Sequence, residues 1–454
     1  MRDFIVVGAV VIGMIMTLRR PWFGVLLWTW VSIMNPHRFC WGFAVEAPVA
    51  AMAAGATLFG LLIARERQNP FMSAPVKWLL VFTGWMTLSW LLGYGIRSSD
   101  ADIWLRDYDM WKRVMKTFLM IFVTMALLRN RHQIVAFIWV VVMSLGIIGA
   151  KGGLFTLATL GAYRVWGPPG SFIEDNNEFA LALVTIIPLL YFLLLQVKLE
   201  QRMLRLGLWS IMVLCAIAAI GSQSRGGFLA LSAMVVVLWW RSPYKAKLAL
   251  FIGVTVAAIL LLMPDEYWER MNTIMAYEED LSAMNRIRSW WVAVEVALHR
   301  VTGAGMLYQH PIVFYLWDYS TAQDQGKAIA AHSIYFQILG NHGFAGLSFY
   351  LMIGVTTYQS AGWLRRHARD IAEAKWAAML GSMVQVAMAG FAVGGAFLSL
   401  AYVDIPFNMM VMVVLARHWV ETRGWERDPQ MGFFEYCFKS REPHRPPVAA
   451  APAG

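Results

Sequence analysis

From about residue 4 to about residue 416 the chain is a succession of long apolar runs joined by short polar links. Nothing else in the sequence limits the fold as strongly. A helix crossing a hydrocarbon core needs roughly 20 mainly apolar residues. Inside lipid every backbone N–H and C=O must be paired within the chain, which leaves helices or a closed barrel. The runs lie at approximately 4–18, 21–34, 44–64, 75–93, 114–128, 133–150, 179–195, 206–221, 227–240, 247–263, 332–358, 374–394 and 397–416. They predict an all-α, polytopic membrane bundle of about 12–13 transmembrane helices. The first two runs are short for a simple crossing, so the count is softest there. With 59% hydrophobic and only 15% charged residues, a soluble globular domain of this size is excluded, because its surface needs far more charge.

The net charge of +10 points to topology rather than to nucleic acid, since the basic residues cluster between apolar runs. One alternating set of links holds Arg19-Arg20, Arg65 and Arg67, Arg129 and Arg131, Lys198 with Arg202 and Arg205, Arg241 with Lys245 and Lys247, and Arg365-Arg366 with Arg369. The positive-inside rule assigns this set to the cytoplasm. The tail after Arg417 and His418 falls on the same side and ends in a Pro/Ala-rich stretch that reads as disordered. The first run has Thr-Leu-Arg-Arg after it rather than a small-residue cleavage site, so it reads as a membrane helix and not a removed leader. Cys40, Cys215 and Cys437 form no metal-binding or CxxC spacing and read as free thiols.

The opposite side receives links at about 94–113 and 151–178, a sharp Gln-Ser-Arg-Gly-Gly break at 223–227, and a long segment at about 264–331. Long loops of this kind are functional or disordered, and this one carries a helical stretch, NRIRSWWVAVEVALHR. The organisation expected is a membrane region at 1–195, a core membrane region at 196–420 that includes the 264–331 loop, and a cytoplasmic tail at 421–454. No nucleotide-binding glycine motif follows a strand pattern. No strong internal repeat suggests a paired-repeat transporter.

Ionisable groups at membrane-helix ends are costly and mark functional leads. Arg225 sits in the Ser-Arg-Gly-Gly break, where Gly226 and Gly227 permit close backbone approach; its planar fork suits phosphate oxygens or simply snorkels to headgroups. Arg286 opens the helical stretch of the long loop. Trp290, four residues on, shares its face and can brace its stem, or both belong to an interfacial helix with tryptophans at the headgroup layer. Arg288 lies beside them. His332 precedes an apolar run, where a helix N-terminus favours the neutral imidazole; Ser333 and Gln337 stand on nearby turns, and His342 lies deeper in the same run. Lys151 and Arg164 lie in the 151–178 link. There Asn176 and Glu178 either contact a sugar hydroxyl or cap the following helix. Glu278-Glu279-Asp280 lacks metal-ligand spacing, so no metal or cofactor is expected. Two outward arginines and a neutral histidine fit transfer from a phosphate-linked donor: the arginines stabilise the leaving diphosphate and the histidine accepts a hydroxyl proton.

These segments resemble the O-antigen ligase and polymerase superfamily of bacterial membrane glycosyltransferases, and within it the O-glycosylation ligases associated with exosortase systems. The likeness is carried by AHSIYFQILGNHGFAGL at 331–347, NRIRSW at 285–290, SRGG at 224–227 and SFIEDNNEFALAL at 171–183. It implies a GT-C-like helical bundle in the bacterial inner membrane, with its active site facing the periplasm. Its donor would be a polyprenyl (undecaprenyl) diphosphate-linked glycan. Its acceptor would be a hydroxyl of lipid A-core oligosaccharide, with protein O-oligosaccharyl transfer or Wzy-type polymerisation as alternatives and anionic-substrate transport as a remoter one. The resemblance carries the family histidine onto His332 and its arginines onto Arg225 and Arg286, with inversion and without metal. Arg288, Trp290, Lys151, Asn176, Glu178 and Gln337 are expected to bind substrate. Asn341 stands where related sequences often have Glu.

Overall fold

The computed structural model describes residues 1–64, 67–69, 71, 73–93, 101–241, 245–246, 253, 281–318, 327–429, 432 and 435–436. Among these the chain forms helices and short 3-10 turns and no strand. In chain order the helices are α1 (Arg2–Arg19), α2 (Trp22–Met34), α3 (Val49–Ile63), α4 (Ala74–Leu92), α5 (Ala101–Leu127), α6 (Arg131–Ala158) and α7 (Asn176–Gln196). Then follow α8 (Arg202–Gly221), α9 (Arg225–Arg241), α10 (Leu281–His299), α11 (Pro311–Trp317), α12 (Ile334–His367), α13 (Lys375–Gly395) and α14 (Asp404–Glu421). Twelve of the thirteen apolar runs fall on these helices; apart from Gly253, the run at 247–263 lies outside the described residues. The molecule is a helical membrane bundle. Five described segments are long and apolar enough to cross: α6, α7, α8, α12 and Ala372–Gly395, which contains α13. The apolar α2 and α3 are shorter, at 13 and 15 residues.

The links that carry Arg20 and Arg129–Arg131 meet the tail at one end of the bundle, called here the inner end. There the Arg20 guanidinium donates to the Tyr436 carbonyl. Asn130 and Gln133 donate to the Tyr436 hydroxyl at 2.7 and 2.8 Å, so this part of the tail docks against the bundle. Cys437 and the Pro/Ala-rich end lie outside the described residues, while Cys40 and Cys215 are buried free thiols. At the core stand α7 and α14, both buried along most of their length. Around them α12 packs on α13 and α4, α7 on α8 and α13, and α9 on α13.

Two expected links turn out to be partly helical. The 94–113 link is helix from Ala101, because Trp104, Tyr108 and Trp111 stack along one face while Ile103, Asp107 and Val114 face inward. That three-to-four residue spacing carries α5 beyond the apolar run. In the 151–178 link, α6 continues to Ala158, since Leu154, Phe155 and Leu157 extend its apolar surface; Lys151 is therefore a helical residue.

Within the long loop, residues 264–280, including Glu278-Glu279-Asp280, and 319–326 lie outside the described residues. The expected helix is present as α10, which packs on α12. After it, residues 300–308 thread inward between α4, α5 and α12. Ser89 donates to the Thr302 carbonyl at 2.6 Å, the Met306 N–H donates to Asp107 at 2.8 Å, and the Ala304 N–H donates to the Gly340 carbonyl at 2.9 Å. Helix α12 makes room by breaking at Gly343, whose φ of 67° and ψ of −173° belong to a region only glycine visits freely. A Cβ there would stand 2.1 Å from the Val301 carbonyl oxygen. Gly343→Ala is therefore expected to cost about 2 kcal/mol or more and to lower the unfolding midpoint in detergent. An unchanged midpoint would contradict this account of the kink.

His342 lies in the same break and is fully buried. Its Nδ1 pairs with the Ser89 hydroxyl at 3.0 Å and its Nε2 with the Tyr402 hydroxyl at 2.8 Å. Asn341 accepts from the Tyr308 N–H at 3.1 Å and donates to the same Tyr402 hydroxyl at 2.7 Å. The Gly-Asn-His-Gly run thus fastens the threaded loop to the helices, and His342 has no open face for a substrate.

Candidate functional site

At the outer end, opposite the basic links, the N-terminus of α12 is preceded by a strained residue. His332 has a φ of 43°, a left-handed conformation that costs a β-carbon-bearing residue on the order of 1–2 kcal/mol. Neighbours hold it there. The Trp290 indole N–H donates to the Ala331 carbonyl at 2.7 Å, and the Trp290 ring stacks on Phe336 with centroids 4.8 Å apart. Ser333 begins the helix, its carbonyl accepting from the Gln337 N–H. Backbone strain that is this firmly braced is typical of functional sites.

His332 is half-buried, and its Nδ1 is buried with no hydrogen-bond partner among the described residues. The hydroxyl oxygens of Ser333 and Ser399 are likewise buried and unpartnered there. Such polar groups without a protein partner are uncommon in a folded interior. Burial first, and then the positive charge of Arg286, push the His332 imidazole below its ordinary pKa, while the Asp175 carboxylate pulls the other way. The net result favours the neutral base. The helix N-terminus anticipated this direction, but the larger causes are desolvation and a cation from another helix.

Asp175 caps α7 by accepting from the Asn177 N–H at 2.8 Å. Its carboxyl is held low: burial opposes ionisation, but hydrogen bonds from Glu178 and Asn177 and the nearby His332 outweigh it. Glu178, buried beneath, also accepts from the Ser399 N–H. Because Asp175 raises the His332 pKa, Asp175→Asn should lower it and keep the helix cap. The acidic limb of the pH–rate profile should then move to lower pH. A limb that stays in place would remove Asp175 from the histidine's electrostatic surroundings.

Arg225 starts α9, one residue after Ser224, whose hydroxyl accepts from the Gly227 N–H at 3.0 Å. The two glycines that follow let the helix close on its neighbours. A Cβ on Gly227 would lie 2.6 Å from that of Ala180 in α7, and one on Gly226 would lie 3.1 Å from Leu398. The same 394–399 turn that receives Arg225's helix also meets Glu178 through Ser399 and α12 through the contact of Gly395 with Ile334. Arg286 and Asp175 thus act on His332 directly, and Arg225 enters from the helix packed on the adjoining turn.

The remaining expected substrate-binding residues are engaged elsewhere. Arg288 is bound to the buried carboxylate of Asp318, with its Nε at 2.7 Å, so an interior carboxylate occupies its fork. Trp290 braces the His332 segment through the bonds above instead of lying in the headgroup layer, whereas Trp291 is exposed. Asn176 is buried and donates to the Ser222 carbonyl at 2.7 Å, which ties α7 to the end of α8. Gln337 is buried and accepts from the Ala401 N–H at 3.4 Å. Lys151 lies in a separate cavity with Arg2 and Arg164. Sequence reasoning missed Asp175 as a neighbour of the histidine and Ser399 as a partner of Glu178. Asp175 was legible as a cap; nothing in the local pattern brings the 394–399 turn to α7. Among the described residues no three His, Cys, Asp or Glu side chains gather as metal ligands.

Residues 210–351, which contain Arg225, Arg286 and His332, match the family model described as O-antigen ligase. Residues 1–198 match a family of unknown function, DUF5935. No curated protein matches the chain.

Proposed function

We propose that the protein is a membrane glycosyltransferase of the O-antigen ligase type. In this reading it moves a glycan from a polyprenyl diphosphate to an acceptor hydroxyl, foremost that of a lipid A-core oligosaccharide, on the periplasmic face of the bacterial inner membrane. The observation that carries the reading is a half-buried histidine whose Nδ1 has no partner among the described residues, with burial and Arg286 favouring its neutral form, within the segment that matches the ligase model.

The chemistry follows from the groups at hand. His332 takes the proton of the acceptor hydroxyl as its oxygen attacks the anomeric carbon. The bond from that carbon to the diphosphate oxygen breaks, and the lipid diphosphate leaves with the electron pair. Arg225 and Arg286 stabilise the charge that develops on it. Attack opposite the leaving group inverts the anomeric configuration, and no sugar–enzyme bond is required. A cavity of about 450 Å³ between α12, α13 and α14 supports the lipid side of this reading. It begins at Ile334 and Tyr335, next to His332, and continues along Tyr350, Met388, Phe391 and Pro406. A prenyl chain can lie there without leaving an apolar environment.

The test is transfer by the purified protein from a polyprenyl-diphosphate glycan, with lipid A-core, a serine-containing protein and a second lipid-linked glycan offered separately. Product on the first acceptor supports ligation; product only on the second or third assigns O-oligosaccharyl transfer or polymerisation. No product on any of them, with donor bound, would overturn the reading.

A further inference from the structure

A second cavity in the bundle stands apart from the one beside His332. It has a volume of about 600 Å³ and lies between α1, α2, α6 and the hairpin that follows α6. Its walls are apolar: Ile5 and Val6 from α1, Trp30 from α2, and Ile147 and Phe155 from α6. Ile5, Ile147 and Phe155 are exposed, so the cavity opens sideways toward lipid. Three cations line it as well: Arg2, Lys151 and Arg164. Among the described residues none of the three has a carboxylate partner, and Arg2 lies over the Trp41 ring at 4.5 Å.

The depth of these cations is set by helix geometry. Arg131 and Lys151 are twenty residues apart on α6, about 30 Å at 1.5 Å per residue. Arg19 and Arg2 are seventeen residues apart on α1, about 26 Å. Both spans are close to the hydrocarbon thickness of a bilayer, about 30 Å. With Arg131 and Arg19 at the inner surface, Lys151 and Arg2 stand at the phosphate level of the outer leaflet, with the apolar walls beneath them.

We propose that this groove binds one multiply phosphorylated lipid of the outer leaflet, its chains along α1 and α6 and its phosphates on Arg2, Lys151 and Arg164, and that this lipid carries the acceptor. The second half rests on the transferase reading above. The wall nearest the reaction centre is a hairpin. Arg164, Trp166 and Gly167 line the groove, and the Gly167 N–H bonds to the Glu174 carbonyl at 2.8 Å, one residue before Asp175. A headgroup held on one side of this hairpin therefore lies within one short loop of His332, while the donor diphosphate has its own arginines on the other side. Bulk lipid would only need scattered snorkelling cations. A walled cavity lined by three cations with no carboxylate partner among the described residues is a built site for a polyanionic head.

Native mass spectrometry of the purified full chain tests the binding step, with lipid A as the diphosphorylated probe and phosphatidylethanolamine as the control. One lipid A should be retained in preference to the control. The variant Arg2→Gln/Lys151→Gln/Arg164→Gln should weaken it about a hundredfold, since each cation near a lipid phosphate contributes about fivefold. Restoring charge with Arg164→Lys in that background should recover part of the loss. Equal retention of the two lipids, or full retention by the triple variant, overturns the site whatever the transfer assays give. If lipid A binding is lost and donor affinity is kept, transfer to lipid A-core should fall in parallel. Unchanged transfer in that variant overturns the acceptor role.

Discussion

Replacing His332 with Ala is expected to abolish most glycan transfer while leaving fold and donor affinity largely intact. General base catalysis by a positioned imidazole contributes about 10²–10⁴-fold, and an alcohol is a poor nucleophile without it. The structural cost should be small, because the ring is only half-buried and its Nδ1 bonds to nothing among the described residues. Removing the side chain leaves no orphaned partner behind. The backbone strain at φ 43° persists in the alanine variant, held by Trp290 and Ser333. His342→Ala should behave in the opposite way. It deprives Ser89 and Tyr402 of a buried partner, and so it should lower stability before it touches chemistry. Measuring turnover, donor affinity and unfolding midpoint for both variants separates the roles. Wild-type-like turnover in His332→Ala would eliminate the base; lost donor affinity with preserved chemistry would move the residue to the diphosphate.

The contrast between the two histidines illustrates how far the sequence could be read. Hydrophobic run length located nearly every described helix, because in lipid the hydrocarbon thickness and backbone pairing leave few alternatives. Basic-residue alternation anticipated which ends gather together, and the Ser-Arg-Gly-Gly break declared its close packing through two glycines. What the sequence did not display were the partners that polar groups find far along the chain. Arg288 and Asn176 looked available because their neighbours in sequence are not their neighbours in space; Asp318 and Ser222 occupy them. Trp290 looked like a headgroup anchor, but its indole N–H is used by a carbonyl 41 residues away. Amphipathicity likewise carried α5 and α6 past the apolar runs, since a helix ends where its own packing ends and not where the membrane does. The role of Gly343 is of the same kind: a glycine in an apolar run is ambiguous until the loop that occupies the kink is seen.

Arg225→Lys and Arg286→Lys test the other half of the chemistry. Lysine keeps the charge but replaces a planar five-donor fork with a point-like ammonium. If the arginines hold diphosphate oxygens in the transition state, losing one such contact should cost about 3 kcal/mol, on the order of a hundredfold in rate. A headgroup-snorkelling arginine would tolerate the change, since lysine snorkels equally well. The two positions should then part company in their pH behaviour. Arg286 lowers the His332 pKa by its charge, so Arg286→Lys should slow turnover with little shift of the acidic limb. Arg286→Gln removes that charge; the His332 pKa should rise, and the residual activity should be lost at a higher pH as the solution is acidified. Arg225 enters from the helix packed on the adjoining turn, so Arg225→Gln should slow transfer with a smaller shift of the limb than Arg286→Gln gives. Rates measured at matched membrane levels across the pH range decide the matter. Near-normal transfer by both lysine variants would return these side chains to the lipid interface, and a limb that moves with Arg225→Gln but not with Arg286→Gln would reverse the assignment of which cation faces the base.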